Sequence, residues 1–342
     1  MTTTESPATA SLGDTKGLFA RFGVDTRALA VARVGLAAII VIEWLTKASG
    51  YFPISLDLVS LSHFVRFPAA MLLMVGHRTR VVSVVTWLAY ALPLRELLLS
   101  GSAINMGHYC TALLLFWLMF LPVGEHLSWG ANGLKGAPPR TVLSVASAGL
   151  LIQFFLIYFW AGITKHFGEW LLDRTALHDV LAHPDHGSSL GSRLTSLPAL
   201  LEAGSVATVA LEVLGTVLLF LPLAGIARRR VWLVAAFIGF HAAMALFMTL
   251  EIFPYVMMVG WLVFLPEQTW SRLFGGAPIA QLDKSRLRNA VAGVALGYVL
   301  TSSVVTWLYF PARVGVPAVI QEVGRHLVLV QQWLMFSMPS SL

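Results

Sequence analysis

Long apolar stretches separated by short polar segments dominate the chain. A membrane-spanning helix needs about 20 mostly apolar residues, and the backbone polar groups inside a bilayer must be satisfied within the protein. Nine stretches reach or approach that length: 28–49, 63–76, 81–99, 109–123, 141–164, 197–226, 231–250, 252–265 and 290–310. The pattern predicts an all-α fold, a polytopic membrane helical bundle of about nine transmembrane helices.

The two ends of the chain differ from this bundle. Residues 1–27 begin with a Thr/Ser/Ala-rich stretch and lack the charged segment and apolar core of a signal peptide, so we expect a flexible cytoplasmic tail. Residues 28–311 form the predicted transmembrane domain. In residues 312–342, Glu322, Arg325 and His326 interrupt the apolar segment 318–336, which leaves an interfacial helix and a tenth spanning helix as alternatives.

Composition and charge support a multi-pass protein of the cell membrane. The chain is 57% hydrophobic and 12% charged, whereas soluble domains average about 25% charged residues. Fourteen Lys and Arg residues fall on one set of alternating loops and eight on the other, which predicts an inside N-terminus and an outside C-terminus. Because the basic residues lie in short clusters between apolar runs, we expect the lipid bilayer and no nucleic acid as a partner.

Ionisable side chains within apolar stretches are the first candidates for function, because a charge in lipid is costly unless it is paired or lines a wet cavity. The candidates are Arg33, Glu43, His108, Lys165, Glu202, Glu212, His241 and Glu251. The longest outer loop, 165–196, is where we expect a site to open.

Lys165 has two interpretations of equal weight. It closes the fifth apolar stretch, where a lysine can serve as a snorkelling anchor. Alternatively, Ala161 and Gly162 allow another helix to approach closely and bury the amine. A desolvated, neutral lysine is a usable general base, and this hypothesis requires Lys165 to be mostly buried with no carboxylate within about 4 Å.

His108, His241 and Glu212 are weaker candidates. His108 begins the fourth stretch, where an interfacial role is the more common one, and His241 lies near the middle of the seventh, where an interhelical hydrogen bond and a substrate contact are equally plausible. We expect Glu212 to pair with Arg33 or another buried donor. We also expect His108, Lys165 and His241 to converge on one cavity.

Metal and nucleotide sites are poorly supported. His178, His183 and His186 lie in the outer loop, but without HExxH spacing a solvated polar loop is the better interpretation. The single cysteine, Cys110, excludes an internal disulfide and a Cys-based metal cage. No GxGxxG or Walker sequence indicates a nucleotide cofactor.

Several motifs resemble the HTTM (horizontally transferred transmembrane) family, whose best-known member is the vitamin K-dependent gamma-carboxylase. The strongest is IYFWAGITK at 157–165, followed by Glu169 and Trp170. The others are FH at 240–241 with IFPYVM at 252–257, GHY at 107–109 with LFWLMFLP at 115–122 and Ser128, LAVAR at 29–33, and GHRTR at 76–80. The resemblance covers about residues 28–270 and makes 28–311 an HTTM-like domain.

The resemblance implies roles for individual residues. Lys165 matches the lysine that deprotonates the reduced quinone in the carboxylase, and His108 matches a histidine implicated in the later carbanion step. We therefore expect Lys165 and His108 to be catalytic, and His241, Tyr158, Trp170 and Glu212 to bind substrate. The chain departs from the family pattern in two places. Amide side chains are common after the histidine of the seventh helix, where this chain has Met244 and Leu246, and the glycine of the family's Trp-x-x-Gly motif is replaced by Arg174.

Three functions remain open. The first is a membrane enzyme with an outward-facing pocket that uses a reduced quinone of the menaquinone or vitamin K type. Its peptide or protein substrate would lie on the outer side, although we expect it not to be held by an extramembrane domain like the one with which the carboxylase grips its substrate. The second is a non-catalytic membrane partner or maturation factor for a secreted peptide. The third is a transporter, for which no internal repeat is detectable.

Overall fold

The computed structural model describes residues 16–47, 58–102, 104–129, 138–165, 167–223, 225–309, 316–331 and 333. The helices are α1 Thr26–Lys47, α2 Leu58–Val75, α3 Thr79–Ser100, α4 Met106–Leu118, α5 Val145–Ile163, α6 Ala176–Ala182, α7 Gly191–Leu194, α8 Pro198–Ala210, α9 Thr216–Phe220, α10 Ile226–Phe247, α11 Phe253–Trp261, α12 Glu267–Phe274, α13 Arg286–Tyr309 and α14 Ala318–Leu327. A π-helical turn, Leu211–Gly215, joins α8 to α9, and another lies at Gly168–Leu172.

Six helices of the described chain are long and apolar enough to cross a membrane: α1, α3, α5, the continuous α8–α9 unit, α10 and α13. Three shorter apolar helices, α2, α4 and α11, correspond to the remaining predicted stretches. Large apolar side chains such as Trp232 and Val294 are mostly exposed on the outside of the bundle, as expected for a surface that faces lipid. The membrane-protein prediction is supported, whereas the exact number of nine spans stays a prediction.

Helix α5 forms the centre of the bundle. Ser144 and Ser147 form a reciprocal capping box at its start, which satisfies two backbone N–H groups. Gly149 permits close packing, because a Cβ there would lie 2.3 Å from Trp117. Since most of α5 is buried, the residues at its end are held firmly in place.

A small sheet at one end of the bundle departs from the predicted all-α fold. Val24–Asp25 (β1) pairs antiparallel with Arg140–Leu143 (β2), which pairs parallel with Ile279–Leu282 (β3). Residues 141–143 were predicted to begin the fifth helix and instead form β2, because the helix starts only after the Ser144 cap. The sheet brings together three segments that the charge pattern had assigned to the same, inner side.

The C-terminal part combines a short amphipathic helix with a buried segment. Helix α14 has ten residues, too few to cross a bilayer, and carries Arg325 and His326 in its last turn. After it the chain enters the core, where Gln331 exchanges hydrogen bonds with Gln153 of α5 and the Tyr109 hydroxyl donates to the Val330 carbonyl. The rest of 312–342, like residues 1–15 of the predicted tail, lies outside the described residues.

Candidate functional site

Lys165 follows the last turn of α5 and is buried. The hydroxyl of Thr164, one residue earlier, donates to the carbonyls of Trp160 and Trp333, which fixes the end of the helix against the C-terminal segment. The Lys165 ammonium donates to the Ala161 carbonyl at 3.1 Å and to Glu212 Oε2 at 2.5 Å. Only 3% of the Lys165 side chain and 5% of the Glu212 side chain are exposed, so this ion pair is almost fully removed from solvent.

Two local features bring Glu212 to Lys165. Glu212 lies in the π-helical turn between α8 and α9, and a π-turn reorients side chains relative to a regular helix. Gly162 faces this turn, and a Cβ at that position would lie 2.6 Å from Val213 Cγ2 and 3.0 Å from Glu212 Cβ. The expectation that Gly162 allows a close helix approach that buries Lys165 is therefore confirmed.

Of two expectations about these charges, one was wrong and the other was met by its second alternative. Lys165 was expected to have no carboxylate within about 4 Å, yet Glu212 contacts it directly. The expectation that Glu212 pairs with Arg33 or another buried donor is met, but not by Arg33, which lies near the opposite end of the bundle and donates to Ser128 Oγ and the Leu127 carbonyl. Glu212 instead meets the second alternative, another buried donor, and that donor is Lys165.

A largely apolar cavity of about 340 Å³ borders the ion pair, and we call it the Lys165 cavity. It lies between the outer-loop helices α6 and α7, helix α8 and the end of α10. The members of its lining are Lys165, Trp170, Leu177, Val180, Leu181, Leu194, Leu200, Leu201, Gly204, Ala207, Thr208, Leu211, Glu212, Phe240, Ala243, Met244, Phe247 and Met248. Apart from the ion pair, the Thr208 hydroxyl is its main polar side-chain group.

Trp170 covers the ammonium. It lies in the π-helical turn Gly168–Leu172, is buried, and places its ring centroid 4.8 Å from Lys165 Nζ, within the range of a cation–π contact. Arg174, shortly after it, has a φ of 60°, in the left-handed region that glycine adopts most easily.

Tyr158 and His241 form a buried network deeper in the bundle. The Tyr158 hydroxyl lies 2.5 Å from His241 Nε2 and accepts a hydrogen bond from Trp261 Nε1 at 2.7 Å. Tyr158 precedes Lys165 by seven residues, about 10 Å along a helix axis. His241 Nδ1 is buried without a hydrogen-bond partner in the described chain, and His241 does not line the Lys165 cavity.

His108 belongs to a separate polar cluster at the ends of α1 and α4. Its Nδ1 lies 2.8 Å from the Tyr90 hydroxyl and 3.5 Å from Glu43 Oε1, and its Nε2 lies 3.7 Å from Glu251 Oε2. Lys47 joins the two carboxylates, at 3.9 Å from Glu43 and 3.0 Å from Glu251. Gly107 enables the arrangement, because a Cβ there would lie 2.6 Å from the backbone nitrogen of Phe253.

The structure thus distributes the predicted site residues over three sets of contacts. Lys165, Glu212 and Trp170 share a cavity, Tyr158 and His241 share a hydrogen-bond network, and His108 contacts neither set directly. Sequence reasoning missed the partners of His108. Glu43 and Glu251 were noted only as ionisable residues in apolar stretches, and Tyr90 carried no such signal because tyrosine is common in membrane helices.

The side chains that the structure brings together determine which ligands and reactions the site can support. Within the described residues, no three His, Cys, Asp or Glu side chains lie close enough to hold a metal ion. The Lys165 cavity instead offers an apolar volume, an aromatic ring face and one buried acid–amine pair. Such a site can hold a small apolar molecule and exchange a proton with a hydroxyl group on it.

Comparison with known proteins places the chain in a family. The model of the HTTM domain matches residues 41–270, about two thirds of the chain, and this range includes Lys165, Glu212, His108 and His241. Searches of curated proteins and of solved structures gave no match. Because the family model covers most of the bundle, the chain belongs to the HTTM family, the transmembrane family that is related to the vitamin K-dependent gamma-carboxylase.

Proposed function

We propose that this protein is a membrane-embedded enzyme that binds a lipid-soluble ring bearing a hydroxyl group in the Lys165 cavity and uses Lys165 as the general base. The observation that carries the proposal is the buried Lys165–Glu212 pair in the wall of an otherwise apolar cavity. An ion pair in such a place is usually no more stabilising than well-packed apolar residues, so stability alone does not account for it.

A reduced quinone of the menaquinone or vitamin K type fits this cavity best. Its volume of about 340 Å³ lies within the range of small-molecule sites. Trp170 and Phe240 offer ring faces, Met244 supplies an apolar wall where relatives often have an amide, and Lys165 and Glu212 offer the polar contacts. When bound, a reduced quinone supplies a ring hydroxyl whose deprotonation prepares the ring for oxidation.

Glu212 determines how Lys165 can act as a base. The ammonium must first lose a proton, and the nearest acceptor is Glu212 Oε2 at 2.5 Å. Proton transfer converts the ion pair into a neutral amine and a neutral carboxylic acid, which an apolar cavity favours because both charges disappear. The free electron pair of Nζ can then accept the hydroxyl proton, which leaves an ammonium beside the protonated Glu212 and places the negative charge on the ligand.

The roles predicted for the other residues stay predictions. His108 and its carboxylate partners lie at the predicted outer side, where the second substrate, a peptide or protein, is expected. Tyr158 and His241 were predicted to bind substrate, but neither lines the Lys165 cavity, and we propose that they support its wall instead. The predicted cell-membrane localisation and the inside-to-outside orientation belong to the same proposal.

The test measures binding of two naphthoquinol probes to the full chain in nanodiscs under anaerobic conditions. The first probe is reduced menadione with free hydroxyls, and the second is its dimethyl ether. Wild-type protein should bind the free hydroquinol about tenfold more tightly or better, because a hydrogen bond to a charged group is worth roughly 1.5–3 kcal/mol. Lys165→Met should lose this preference while it retains binding of the ether.

The matched control is Lys284→Met, which makes the same change at a lysine outside the Lys165 cavity. It should keep the wild-type preference. Equal affinity of wild type for the two probes would remove the role of Lys165 as a base and favour a carrier or scaffold. If neither probe binds, the quinone assignment itself is wrong.

A further inference from the structure

A second cavity lies at the opposite end of the bundle, beside the small sheet. Its volume is about 300 Å³, and we call it the Arg230 cavity after the basic residue in its wall. Its lining comes from the helical segment 16–22, strands β1 to β3, the first turns of α10 and the start of α12. It shares no lining residue with the Lys165 cavity, so the inference drawn from it is independent of the proposed function.

Arg230 is a buried cation with an incomplete set of partners. Only 5% of the residue is exposed, and its terminal nitrogen Nη2 donates to the Arg21 carbonyl. Its Nε is buried without a hydrogen-bond partner, and the described residues place no carboxylate within ion-pair distance of the guanidinium. Because an unpaired buried charge is strongly unfavourable, this guanidinium points to a ligand that supplies an anion.

The start of α10 adds a second feature that favours an anion. Ile226 and Ala227, its first two residues, line the cavity, and no side chain caps this end of the 22-residue helix. The backbone N–H groups of a first turn are free to donate, and the helix dipole concentrates positive potential there. Lys16 contributes a further positive charge to the lining.

Two carboxylates also line the cavity, and they differ in whether a basic partner compensates their negative charge. Both oxygens of Asp25 accept hydrogen bonds from Arg27 at 2.7–2.9 Å, so its charge is compensated. Glu267 Oε2 accepts from the Thr141 hydroxyl at 2.9 Å, and no basic partner compensates it in the described chain. The lining itself carries two positive charges, Lys16 and Arg230, and two negative ones, Asp25 and Glu267, so the net positive charge of one comes from Arg27, which lies outside the lining and pairs with Asp25.

We propose that the Arg230 cavity binds a phosphate group, held by the Arg230 guanidinium and the first-turn N–H groups of α10. Phosphate suits this site because its several oxygens can accept from a guanidinium and from helix N–H groups at the same time. Phe19 and Leu265 make part of the wall apolar. That wall is compatible with the phosphate of a lipid headgroup as well as with a soluble phosphate.

The experiment uses the delipidated full chain in a neutral detergent and has two arms. In the first, inorganic phosphate is titrated and the melting temperature is followed, with chloride at equal ionic strength as reference. In the second, retention of phosphatidylglycerol is measured by native mass spectrometry against a neutral diacylglycerol of the same chain length. A response only to inorganic phosphate identifies a soluble ligand, and a response only to the phospholipid identifies a headgroup.

Three variants test the assignment to Arg230. Arg230→Gln should weaken binding at least tenfold, because it removes a charge-assisted contact. Arg228→Gln removes the same charge from an exposed position on α10 outside the cavity, and it should leave binding within about twofold of wild type. Glu267→Gln should tighten binding roughly threefold, because it removes a like charge from the wall.

The Glu267 variant keeps the test decisive even if Arg230→Gln does not fold. Tighter binding in Glu267→Gln supports the proposal on its own. Equal binding by Arg230→Gln and Arg228→Gln overturns it, as does unchanged or weaker binding in Glu267→Gln. A wild-type protein that responds to neither phosphate source overturns it as well.

Discussion

Two buried ion pairs at opposite ends of the bundle differ in how completely their donors are used. In the Arg27–Asp25 pair the side chains are 4% and 1% exposed, close to the values for Lys165 and Glu212. All five guanidinium N–H groups of Arg27 have acceptors: two donate to Asp25, two to the carbonyls of Gly275 and Gly276, and one to Ser271 Oγ. The described structure gives oxygen acceptors to two of the three Lys165 N–H groups.

The difference is the reason we assign Arg27 a structural role and propose a binding role for Lys165. Arg27 ties the start of α1 and β1 to α12 and to the segment after it, and no donor remains for a ligand. Lys165 has a donor to spare, an apolar cavity beside it and an aromatic ring over it. Burial alone therefore does not single out a candidate functional charge, whereas burial with unused hydrogen-bonding capacity toward a cavity does.

The largest expected effect comes from breaking the Arg27–Asp25 pair, in which every guanidinium donor is used. Arg27→Met should lower the free energy of unfolding by about 3–5 kcal/mol, because Asp25 would remain buried without a cation. Chemical denaturation in mixed micelles measures this change. Naphthoquinol binding by the folded fraction should stay at the wild-type level.

Arg228→Met is the control for this prediction, since Arg228 is exposed on α10 and its loss should change stability by no more than about 0.5 kcal/mol. The distinction between the two ion pairs would be wrong if Arg27→Met lowered the free energy of unfolding no more than Arg228→Met does. It would also be wrong if Arg27→Met abolished ligand binding in protein that is still folded.

A smaller effect should follow from separating Lys165 and Glu212 by steric means. Gly162→Ala introduces a Cβ 2.6 Å from Val213 Cγ2 and 3.0 Å from Glu212 Cβ, so the Val213 side chain or the π-turn that carries it must shift. We expect a loss of about 1–3 kcal/mol in unfolding free energy, typical of overpacking, and a weaker preference for the free hydroquinol over its ether. The same denaturation and binding measurements check both results.

Gly239→Ala provides a matched control, because a Cβ at that position of α10 has no atom within 4 Å. The substitution should be neutral or stabilise the helix by up to about 1 kcal/mol, since alanine is the better helix former. Equal effects of the two substitutions would mean that the close approach at Gly162 does not hold the pair together.

The helical bundle could be predicted because its signals are local. Apolar stretches of membrane length become helices since no other open structure satisfies the backbone in lipid, and the shorter helices α2, α4 and α11 still appear where the pattern placed them. The burial of Lys165 was one of two equally weighted interpretations, and the local signal that favoured it was the pair of small residues, Ala161 and Gly162, within one turn of the lysine.

The partners of the charges could not be predicted, because they depend on nonlocal geometry. Glu212 reaches Lys165 through a π-turn, and no residue type in 211–215 distinguishes that turn from a regular helix. Strand β2 was hidden within an apolar run, and its pairing with β1 and β3 joins segments more than one hundred residues apart. The insertion of Gln331 beside Gln153 likewise follows from packing rather than from sequence pattern.

The smallest expected effect concerns His126, which reports on the environment of the Arg27–Asp25 pair. His126 lies in the segment after α4, and its Nε2 is 3.0 Å from the Thr26 hydroxyl. Burial lowers the pKa of His126; Asp25 acts in the opposite direction, and Arg27 and Arg140 lower the pKa further. The unfolded chain, with a histidine pKa of about 6.5, then binds more protons than the folded protein as the pH falls below that value. Folding stability should therefore decrease as the pH falls through about 6.5 toward the lowered pKa of the folded state.

The difference in unfolding free energy between wild type and His126→Gln isolates this contribution, and it should shrink as the pH is lowered from 8 to 5. His77→Gln, at an exposed histidine near the same end of the bundle, should leave the wild-type pH profile as it is. Stability that rises on acidification, relative to His126→Gln, would mean that Asp25 still attracts protons at His126, so that Arg27 does not neutralise it.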